Sequence, residues 1–389
     1  MKIQTANRMS SFSASIFSEM AAYKAKKIKE GKNIIDLSIG SPDLPPPSFV
    51  MEAISQHSMN DQLYGYSMRG TNEFQQAVQT YYRDTYHVTL DSEKEIFQLM
   101  GSQDGLVHLP MVIANPGDIV LVPDPGYTAY ATGIAMAEAI PYFMPLQKEN
   151  HFLPDFSKIP EDIATQATIM ILNFPGNPIP VMATEQIFVE AIAFAKKYNI
   201  MILHDFAYSE LYYGNEAPIS FLAIEGSQEV GVEFNSLSKS FNMAGCRVAY
   251  ALGNEKIITA LKQLKSNLDY GVFLPIQHAA TLALQKGSSF TEEARSIYRK
   301  RRDCLVNGLS EIGWNIETPQ AGMFIWAEIP NKWTSKQFAF ELTDHAGVTV
   351  TPGIAFGPSG EGFVRIALVE NEDSLQQAVK NIRDSGMFL

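Results

Sequence analysis

Cysteine is scarce in this chain of 389 residues, since only Cys246 and Cys304 occur. Two cysteines cannot build a framework of several disulfides and are typical of a reducing compartment, so we expect a cytoplasmic protein. Apolar runs of membrane-spanning length are also missing, so we expect no membrane partner. Residues 1–15 are polar and lack the apolar core of a signal peptide.

Positive charge is in short supply as well. The sequence carries 30 Lys and Arg against 42 Asp and Glu, a net charge of −12, so we expect no nucleic-acid partner. The basic run at residues 299–302 is interpreted as the solvent-facing side of a helix with Ile297, Tyr298, Leu305 and Leu309 at its apolar positions. The seven histidines show no metal-ligand spacing, so we expect no metal.

Apolar runs of strand length alternate with helical segments through the middle of the chain. Strands are predicted at residues 96–100, 119–123, 168–172, 200–204, 232–236 and 248–252, and an intervening helix is predicted at Glu185–Tyr198. Buried strands that alternate with helices form a mostly parallel sheet covered on both faces. The sequence therefore predicts an α/β fold with a mostly parallel sheet sandwiched by helices.

The two ends of the chain are expected to form a second, smaller domain. Residues 40–47 are rich in proline and turn residues, and the alternation of strands and helices stops after about residue 285. Residues 289–292 fit a capping box that opens a helix, and two further strands are predicted at 323–329 and 363–368. We expect a large domain at residues 45–285 and a small α+β domain made of residues 1–44 together with residues 286–389.

Residues 236–247, Ser-Leu-Ser-Lys-Ser-Phe-Asn-Met-Ala-Gly-Cys-Arg, place one lysine among hydroxyl side chains, with an arginine at the end. A desolvated lysine amine is nucleophilic and can form a Schiff base with an aldehyde. Hydroxyl groups and a guanidinium bind a phosphate dianion. Lys239 with Ser236, Ser238 and Arg247 therefore indicates pyridoxal 5′-phosphate, which carries both an aldehyde and a phosphate.

Residues that suit the ring of this cofactor follow other predicted strands. Asp205 suits the ring nitrogen, Asn177 and Tyr208 suit the phenolic oxygen, and Tyr127 suits the ring face. Because parallel strands end along one edge of a sheet, we expect these residues to meet at one site. Each also has an ordinary explanation: Asp205 could cap a helix, Asn177 could form a turn, and Tyr127 could be a buried aromatic.

The phosphate is expected at the start of a helix. Gly101, Ser102 and Gln103 follow a predicted strand, where free N–H groups and the helix dipole favour an anion. This segment lacks the lysine that a nucleoside triphosphate would need. The predicted phosphate ligands are therefore Gly101, Ser102, Gln103, Ser236, Ser238 and Arg247.

Four segments together resemble the fold-type I pyridoxal phosphate enzymes, and within them the class I and II aminotransferases. They are Asn-Phe-Pro-Gly-Asn-Pro at 173–178, Asp-Phe-Ala-Tyr at 205–208, Ser-Leu-Ser-Lys at 236–239 with Gly245 and Arg247, and Phe-Val-Arg-Ile at 363–366. The resemblance implies transfer of an amino group between an L-amino acid and a 2-oxo acid, with aspartate, alanine and LL-diaminopimelate as candidate substrates.

The resemblance also assigns residues to catalysis and to substrate binding. Lys239, Asp205 and Tyr208 are the implied catalytic residues. Arg365 is the implied clamp for the substrate α-carboxylate, and the backbone near Gly40 with Asn177 and Tyr127 completes the implied substrate site.

A homodimer with shared active sites is a further implication of the resemblance. In such dimers a tyrosine from the neighbouring subunit reaches the phosphate. Tyr64 and Tyr66 both lie in the matching stretch, and Tyr66 is the one we expect to do so.

The sequence departs from the family pattern at Ile179-Pro180, Phe206 and Cys246, and these departures bear on substrate preference. The nearest alternative is a pyridoxal phosphate C–S β-lyase, which shares the fold and the lysine. A regulator or binding protein that keeps the cofactor without catalysis is a second alternative. A DNA-binding regulator would need an additional module and would conflict with the acidic composition.

Overall fold

The computed structural model describes residues 3–12 and 16–388. Its strands, in chain order, are β1 (Ile35–Asp36), β2 (Ile96–Leu99), β3 (Ile119–Asp124), β4 (Ile140–Pro145), β5 (Ala167–Asn173), β6 (Met201–Asp205), β7 (Gly231–Ser236), β8 (Ala249–Gly253), β9 (Phe324–Glu328), β10 (Val348–Thr349), β11 (Thr351–Pro352) and β12 (Phe363–Ala367). Within these residues, no helix has the length and apolar character needed to cross a bilayer.

The helices are also numbered in chain order. They are α1 (Ile16–Lys29), α2 (Ser48–Ser58), α3 (Asn72–Tyr86), α4 (Ser102–Ile113), α5 (Thr128–Met136), α6 (Glu161–Ala164), α7 (Glu185–Tyr198), α8 (Ser227–Val230), α9 (Leu237–Ser240), α10 (Glu255–Lys265), α11 (Leu274–Lys286), α12 (Ser288–Glu311), α13 (Ser335–Ala346) and α14 (Glu372–Asp384).

Seven strands form the central sheet, in the order β2-β8-β7-β6-β5-β3-β4. Strands β4, β3, β5, β6 and β7 run parallel, and β8 runs antiparallel to both of its neighbours. Strands β3, β6 and β7 are buried along their whole length because helices cover both faces of the sheet. The predicted α/β fold with a mostly parallel sheet is therefore confirmed.

Strand β4 was not predicted from the sequence. Its six residues, Ile-Pro-Tyr-Phe-Met-Pro, include two prolines, and most of them are exposed. Proline is tolerated at an edge of a sheet because a ladder hydrogen bond is not needed there on the outer side. The edge position of β4 thus explains why its sequence lacks the pattern of a buried strand.

Outside the central sheet, the two ends of the chain pack together. Strand β1 pairs in parallel with β10, and β11, β12 and β9 form an antiparallel sheet. A second apolar core joins Met20 and Leu37 to residues of α12, α13 and α14. These contacts agree with the expected small domain, although the division into residues 45–285 and residues 1–44 with 286–389 remains a prediction.

Two local predictions were wrong, and both concern α12. This helix begins at Ser288, directly after α11 and Gly287, and no side chain caps it, so residues 289–292 do not form a capping box. Arg301 does not face solvent: it is 3% exposed and donates hydrogen bonds to both carboxylate oxygens of Asp43 at 2.7 and 2.8 Å. Four consecutive helical residues cover most of the helix circumference, so one of them must face inward.

Candidate active site

A cleft of about 560 Å³ lies beyond the carboxyl ends of the central strands. Its walls also include α1, the segment 38–41 and the β11–β12 region. Six predicted site residues line it: Tyr127, Asn177, Asp205, Tyr208, Lys239 and Arg365. Gly40 and Ser102 line it as well, so the structure brings most of the predicted residues to one place.

Lys239 lies on α9, a single helical turn that follows β7 directly. The Ser236 hydroxyl accepts a hydrogen bond from the Ser238 N–H at 3.1 Å, which caps this turn and fixes the direction of the lysine. The Lys239 Nζ donates to the Gly40 carbonyl at 2.6 Å, and it lies 6.0 Å from the centre of the Tyr208 ring. The amine is therefore held at the centre of the cleft.

Burial, together with the positive charges of Arg365 and Arg247, lowers the pKa of Lys239 from 10.5 to about 8, against the opposing effect of Asp205. Desolvation favours the neutral amine, and nearby cations do the same. At pH 7 roughly a tenth of such amines are unprotonated, compared with far less than one per cent for a solvated lysine. The cleft therefore supplies a nucleophilic amine near neutral pH.

We expect this amine to capture an aldehyde with a pH midpoint near 8. Pyridoxal, which lacks the phosphate, is the probe, and its capture by the apo-protein is followed by absorbance as the pH is raised. The rate should rise with pH and level off above about 8, and Arg365→Met should move the midpoint upward. A midpoint in wild type that matches Nα-acetyl-lysine amide would contradict the lowered pKa.

Asp205 ends β6 and is 4% exposed. Its Oδ2 accepts a hydrogen bond from the Tyr130 hydroxyl at 2.8 Å, whereas its Oδ1 is buried and has no partner among the described residues. Burial raises the pKa of this carboxyl, and the Tyr130 bond opposes the rise. A buried carboxylate oxygen without a hydrogen-bond donor is unfavourable, and the N–H of a protonated pyridine ring would supply the missing donor.

Tyr130 was missed by the sequence analysis. It lies three residues after Tyr127 on the first turn of α5, and residues at this spacing share one face of a helix. Its hydroxyl reaches Asp205, while the Tyr127 hydroxyl donates to Gln103 Oε1 at 3.3 Å. The pair of tyrosines was the available signal, but the partner of the second one depends on the fold.

Arg365 projects from β12 and is 4% exposed. Its guanidinium donates to Asn177 Oδ1 at 2.8 Å and to the Ser38 carbonyl at 2.7 Å. It also stacks between the rings of Phe324 and Phe356, at 4.3 and 4.8 Å from their centres. These contacts fix the plane of the guanidinium.

No carboxylate among the described residues pairs with Arg365, and its Nε is buried without a partner. Burial lowers the pKa of this guanidinium to about 10, so the group is still charged at neutral pH. A buried cation without a counter-ion is costly. The arrangement therefore favours a ligand that brings a carboxylate to Arg365.

The predicted phosphate residues fall into two groups. Gly101 precedes α4 with φ +81°, and a Cβ atom at this position would lie 2.2 Å from Arg247 Nη2, so glycine is required for the arginine to approach. No side chain caps α4, which leaves its first N–H groups available to an anion. Of the six predicted phosphate residues only Ser102 lines the cleft, and Ser236 and Ser238 are buried behind its edge. The part of all six in phosphate binding remains a prediction.

Tyr66 does not reach the cleft of its own chain. It is 84% exposed, and its ring packs against Tyr270 at 4.7 Å between centres. Tyr64 is 64% exposed and donates a hydrogen bond to the Ser58 carbonyl at 2.8 Å. Both tyrosines remain candidates for a contact with a neighbouring subunit.

Comparison with known proteins agrees with this geometry. The profile of the family described as aminotransferase class I and II matches residues 32–382. LL-diaminopimelate aminotransferases from Halothermothrix orenii and Moorella thermoacetica are each 40% identical to this chain, covering 98% of it and 99% and 98% of their own lengths. Proteins of this family depend in general on pyridoxal phosphate.

Solved structures give the same result. Substrate-bound BacF from Bacillus subtilis has a TM-score of 0.95 at 40% identity, with 98% of each chain covered. An aminotransferase from Staphylococcus aureus has a TM-score of 0.91 at 32% identity, with 99% of this chain and 100% of the other covered. With the matched family profile and the full-length curated relatives, these likenesses show that the chain belongs to the class I and II aminotransferases.

Proposed function

We propose that this aminotransferase uses pyridoxal 5′-phosphate, bound at Lys239, to move an amino group between an L-amino acid and a 2-oxo acid. The observation that carries the proposal is that Lys239 shares the cleft with two buried groups that lack a binding partner. Asp205 Oδ1 lacks a hydrogen-bond donor, and Arg365 lacks a carboxylate. A protonated pyridine ring and the α-carboxylate of an amino acid supply these two groups.

The residues of the cleft fit this cofactor. Lys239 would hold its aldehyde carbon and Asp205 its ring nitrogen, while Asn177 and Tyr208 would donate to its phenolic oxygen. Tyr127 would cover the ring face. The proposed phosphate ligands are Gly101, Ser102, Gln103, Ser236, Ser238 and Arg247 of one subunit and Tyr66 of its neighbour.

When bound, the cofactor supplies an electron sink next to the substrate Cα. The Arg365 guanidinium binds the α-carboxylate and thereby points the Cα–H bond toward Lys239. The Lys239 amine, once free, would remove the Cα proton and return it. Asp205, which accepts a hydrogen bond from the Tyr130 hydroxyl, would place a negative charge next to the ring nitrogen.

We propose LL-diaminopimelate as the first candidate substrate, with aspartate and alanine as the alternatives. The curated relatives that carry this name support the choice. The cleft also supports it, because Lys24 of α1 places a second positive charge in the lining, while its partner Asp36 lies outside the lining. A cation there suits a substrate whose far end carries a carboxylate.

A half-reaction screen tests both the activity and the substrate. Purified, cofactor-loaded protein is mixed with single amino acids, and the loss of the cofactor absorption band is followed. The released 2-oxo acid is measured separately. We expect LL-diaminopimelate to react fastest, with aspartate and alanine slower. Release of pyruvate and ammonia from cystathionine, without any 2-oxo acid acceptor, would instead favour the C–S lyase.

A homodimer is proposed for the active form. Aromatic side chains cluster on one exposed surface, where Tyr64 packs against Phe273 and Tyr66 packs against Tyr270. These side chains are 39–84% exposed, which is unusual for so many aromatics in one place. We expect sedimentation equilibrium to give twice the mass of one chain. Tyr66→Ala should weaken the binding of the cofactor, because its phosphate loses a contact from the neighbouring subunit. A monomer with full activity would contradict both expectations.

The remaining parts of the proposal concern the setting of the protein. We propose a cytoplasmic location with no nucleic-acid and no membrane partner, because the net charge is −12 and disulfides are not expected. Amino acids and 2-oxo acids are then the small-molecule partners. Fractionation of the producing cells measures the location, and recovery of the protein with membranes would contradict it.

A further inference from the structure

A buried histidine–glutamate pair lies directly behind the cleft and has no role in the function proposed above. His204 on β6 and Glu233 on β7 are both 0% exposed, and His204 Nδ1 lies 2.8 Å from Glu233 Oε2. The rings of Phe188, Phe206 and Phe221 surround the imidazole at 5.0 to 6.2 Å between centres. A charged pair in such apolar surroundings is kept only where its hydrogen bonds are satisfied.

The Glu233 carboxylate is fully satisfied. Its Oε1 accepts from the hydroxyls of Tyr82 and Ser220, and its Oε2 accepts from the Phe221 N–H, each at 2.8 Å. The Phe221 N–H can only donate, and both hydroxyls already accept from other N–H groups and have Glu233 as their acceptor, which indicates an ionised glutamate. At the fourth contact, His204 Nδ1 then carries a proton and donates a hydrogen bond to Glu233.

The second nitrogen of His204 also faces an acceptor. Nε2 lies 3.2 Å from the Phe174 carbonyl oxygen, which accepts but cannot donate. A neutral imidazole carries one N–H, so it could satisfy only one of these two contacts. Only the doubly protonated ring donates to Glu233 and to Phe174 together, which gives an imidazolium paired with a carboxylate.

Phe174 connects this pair to the substrate clamp. It lies between Asn173, whose amide donates to the Asp205 carbonyl at 2.7 Å, and Asn177, whose N–H donates to Asn173 Oδ1 at 2.9 Å. Asn177 in turn accepts from Arg365 at 2.8 Å. The His204 bond to the Phe174 carbonyl therefore anchors the loop that holds one side of the guanidinium.

We propose that His204 is a positioning residue which, as an imidazolium held by Glu233, anchors the 173–177 loop and so orients Asn177 and Arg365 for the substrate carboxylate. Its charge also lies next to Asp205, where it opposes the rise in the carboxyl pKa caused by burial. The effect on substrate rests on the proposed function of Arg365, whereas the protonation state of His204 can be tested without any substrate.

The protonation state is measured on the apo-protein by ¹⁵N NMR of labelled histidine. The chain has seven histidines, and His204→Gln assigns the signals of interest by their loss. We expect both ring nitrogens of His204 to carry protons at pH 7.5. A ring with one bare nitrogen at that pH would overturn the proposal and would leave the proposed transamination untouched.

The positioning role is measured by steady-state kinetics on His204→Asn. Asparagine keeps a donor at the depth of Nδ1 for Glu233 but is too short to donate to Phe174, so the loop loses its anchor. We expect KM for the amino acid to rise about tenfold, with kcat within about threefold of wild type.

Tyr82→Phe is the matched control. It removes one donor from Glu233 without touching His204, so it should lower the melting temperature and leave KM unchanged. An unchanged KM in folded His204→Asn, or an equal rise of KM in Tyr82→Phe, would overturn the proposal. If the His204 variants do not fold, the His204 signals are assigned by their shift in Tyr82→Phe, and a bare ring nitrogen in wild type still overturns the proposal.

Discussion

Lys239→Ala is expected to lower kcat for transamination by on the order of 10⁴-fold, because it removes both the attachment point and the proton-transferring amine. Lys239 Nζ lies at the Gly40 carbonyl and near the Tyr208 ring, whereas Lys24, the other described lysine that lines the cleft, is paired with Asp36. Initial rates with saturating cofactor measure the effect. Borohydride reduction followed by peptide mapping should locate the cofactor on residue 239 in wild type.

Two variants serve as controls for this experiment. Lys239→Arg keeps a positive charge in the cleft but cannot form the covalent bond, so it should be as inactive as the alanine variant. Lys24→Ala removes the other lysine that lines the cleft, and borohydride should still trap the cofactor on Lys239. Transamination at the native rate by Lys239→Ala, or an adduct at another residue, would refute the assignment.

Arg365→Met is expected to lower kcat/KM for amino acids by on the order of 10³-fold, since about two charge-assisted hydrogen bonds to the α-carboxylate are lost. Arg365→Lys should restore little of this, because an ammonium cannot bind a carboxylate with the planar fork that Phe324 and Phe356 hold in place. The measurement compares kcat/KM for an amino acid with that for a primary amine without a carboxylate.

The primary amine distinguishes the loss of the contact to the α-carboxylate from damage to the fold. If Arg365 binds the α-carboxylate, its loss should reduce the reaction with the amine far less than the reaction with the amino acid. Arg295→Lys is the matched control, because Arg295 also stacks on an aromatic ring, that of Tyr212, but is paired with Glu210 and lies outside this cleft. Equal losses for both substrates would argue against a carboxylate clamp.

These expectations depend on residues that the sequence identified to different degrees. Lys239 was found from the hydroxyl side chains and the arginine around it, and Asp205 because it follows a predicted strand whose end meets the others at the edge of a parallel sheet. Arg365 was assigned only through the family resemblance, since one arginine in an apolar strand does not reveal its ligand. Its environment of two rings and a carbonyl became visible only in the structure.

Side chains whose role depends on distant partners could not be predicted. Tyr130 reaches Asp205 across 75 positions of sequence, and His204 pairs with Glu233 across 29. Arg301 was expected in solvent, but its partner Asp43 lies 258 positions away. No local pattern encodes such contacts, because each requires the two ends of the chain, or two separate strands, to be already packed.

The sequence by itself determined the α/β fold, the order of most strands along the chain and the chemical groups of the cleft. These follow from short-range information: the alternation of apolar runs, the glycine before α4 and the residues that end each strand. The tertiary structure decided which groups lack partners. Asp205 Oδ1 without a donor and Arg365 without a carboxylate are properties of burial, which depends on how segments far apart in the chain pack around each group.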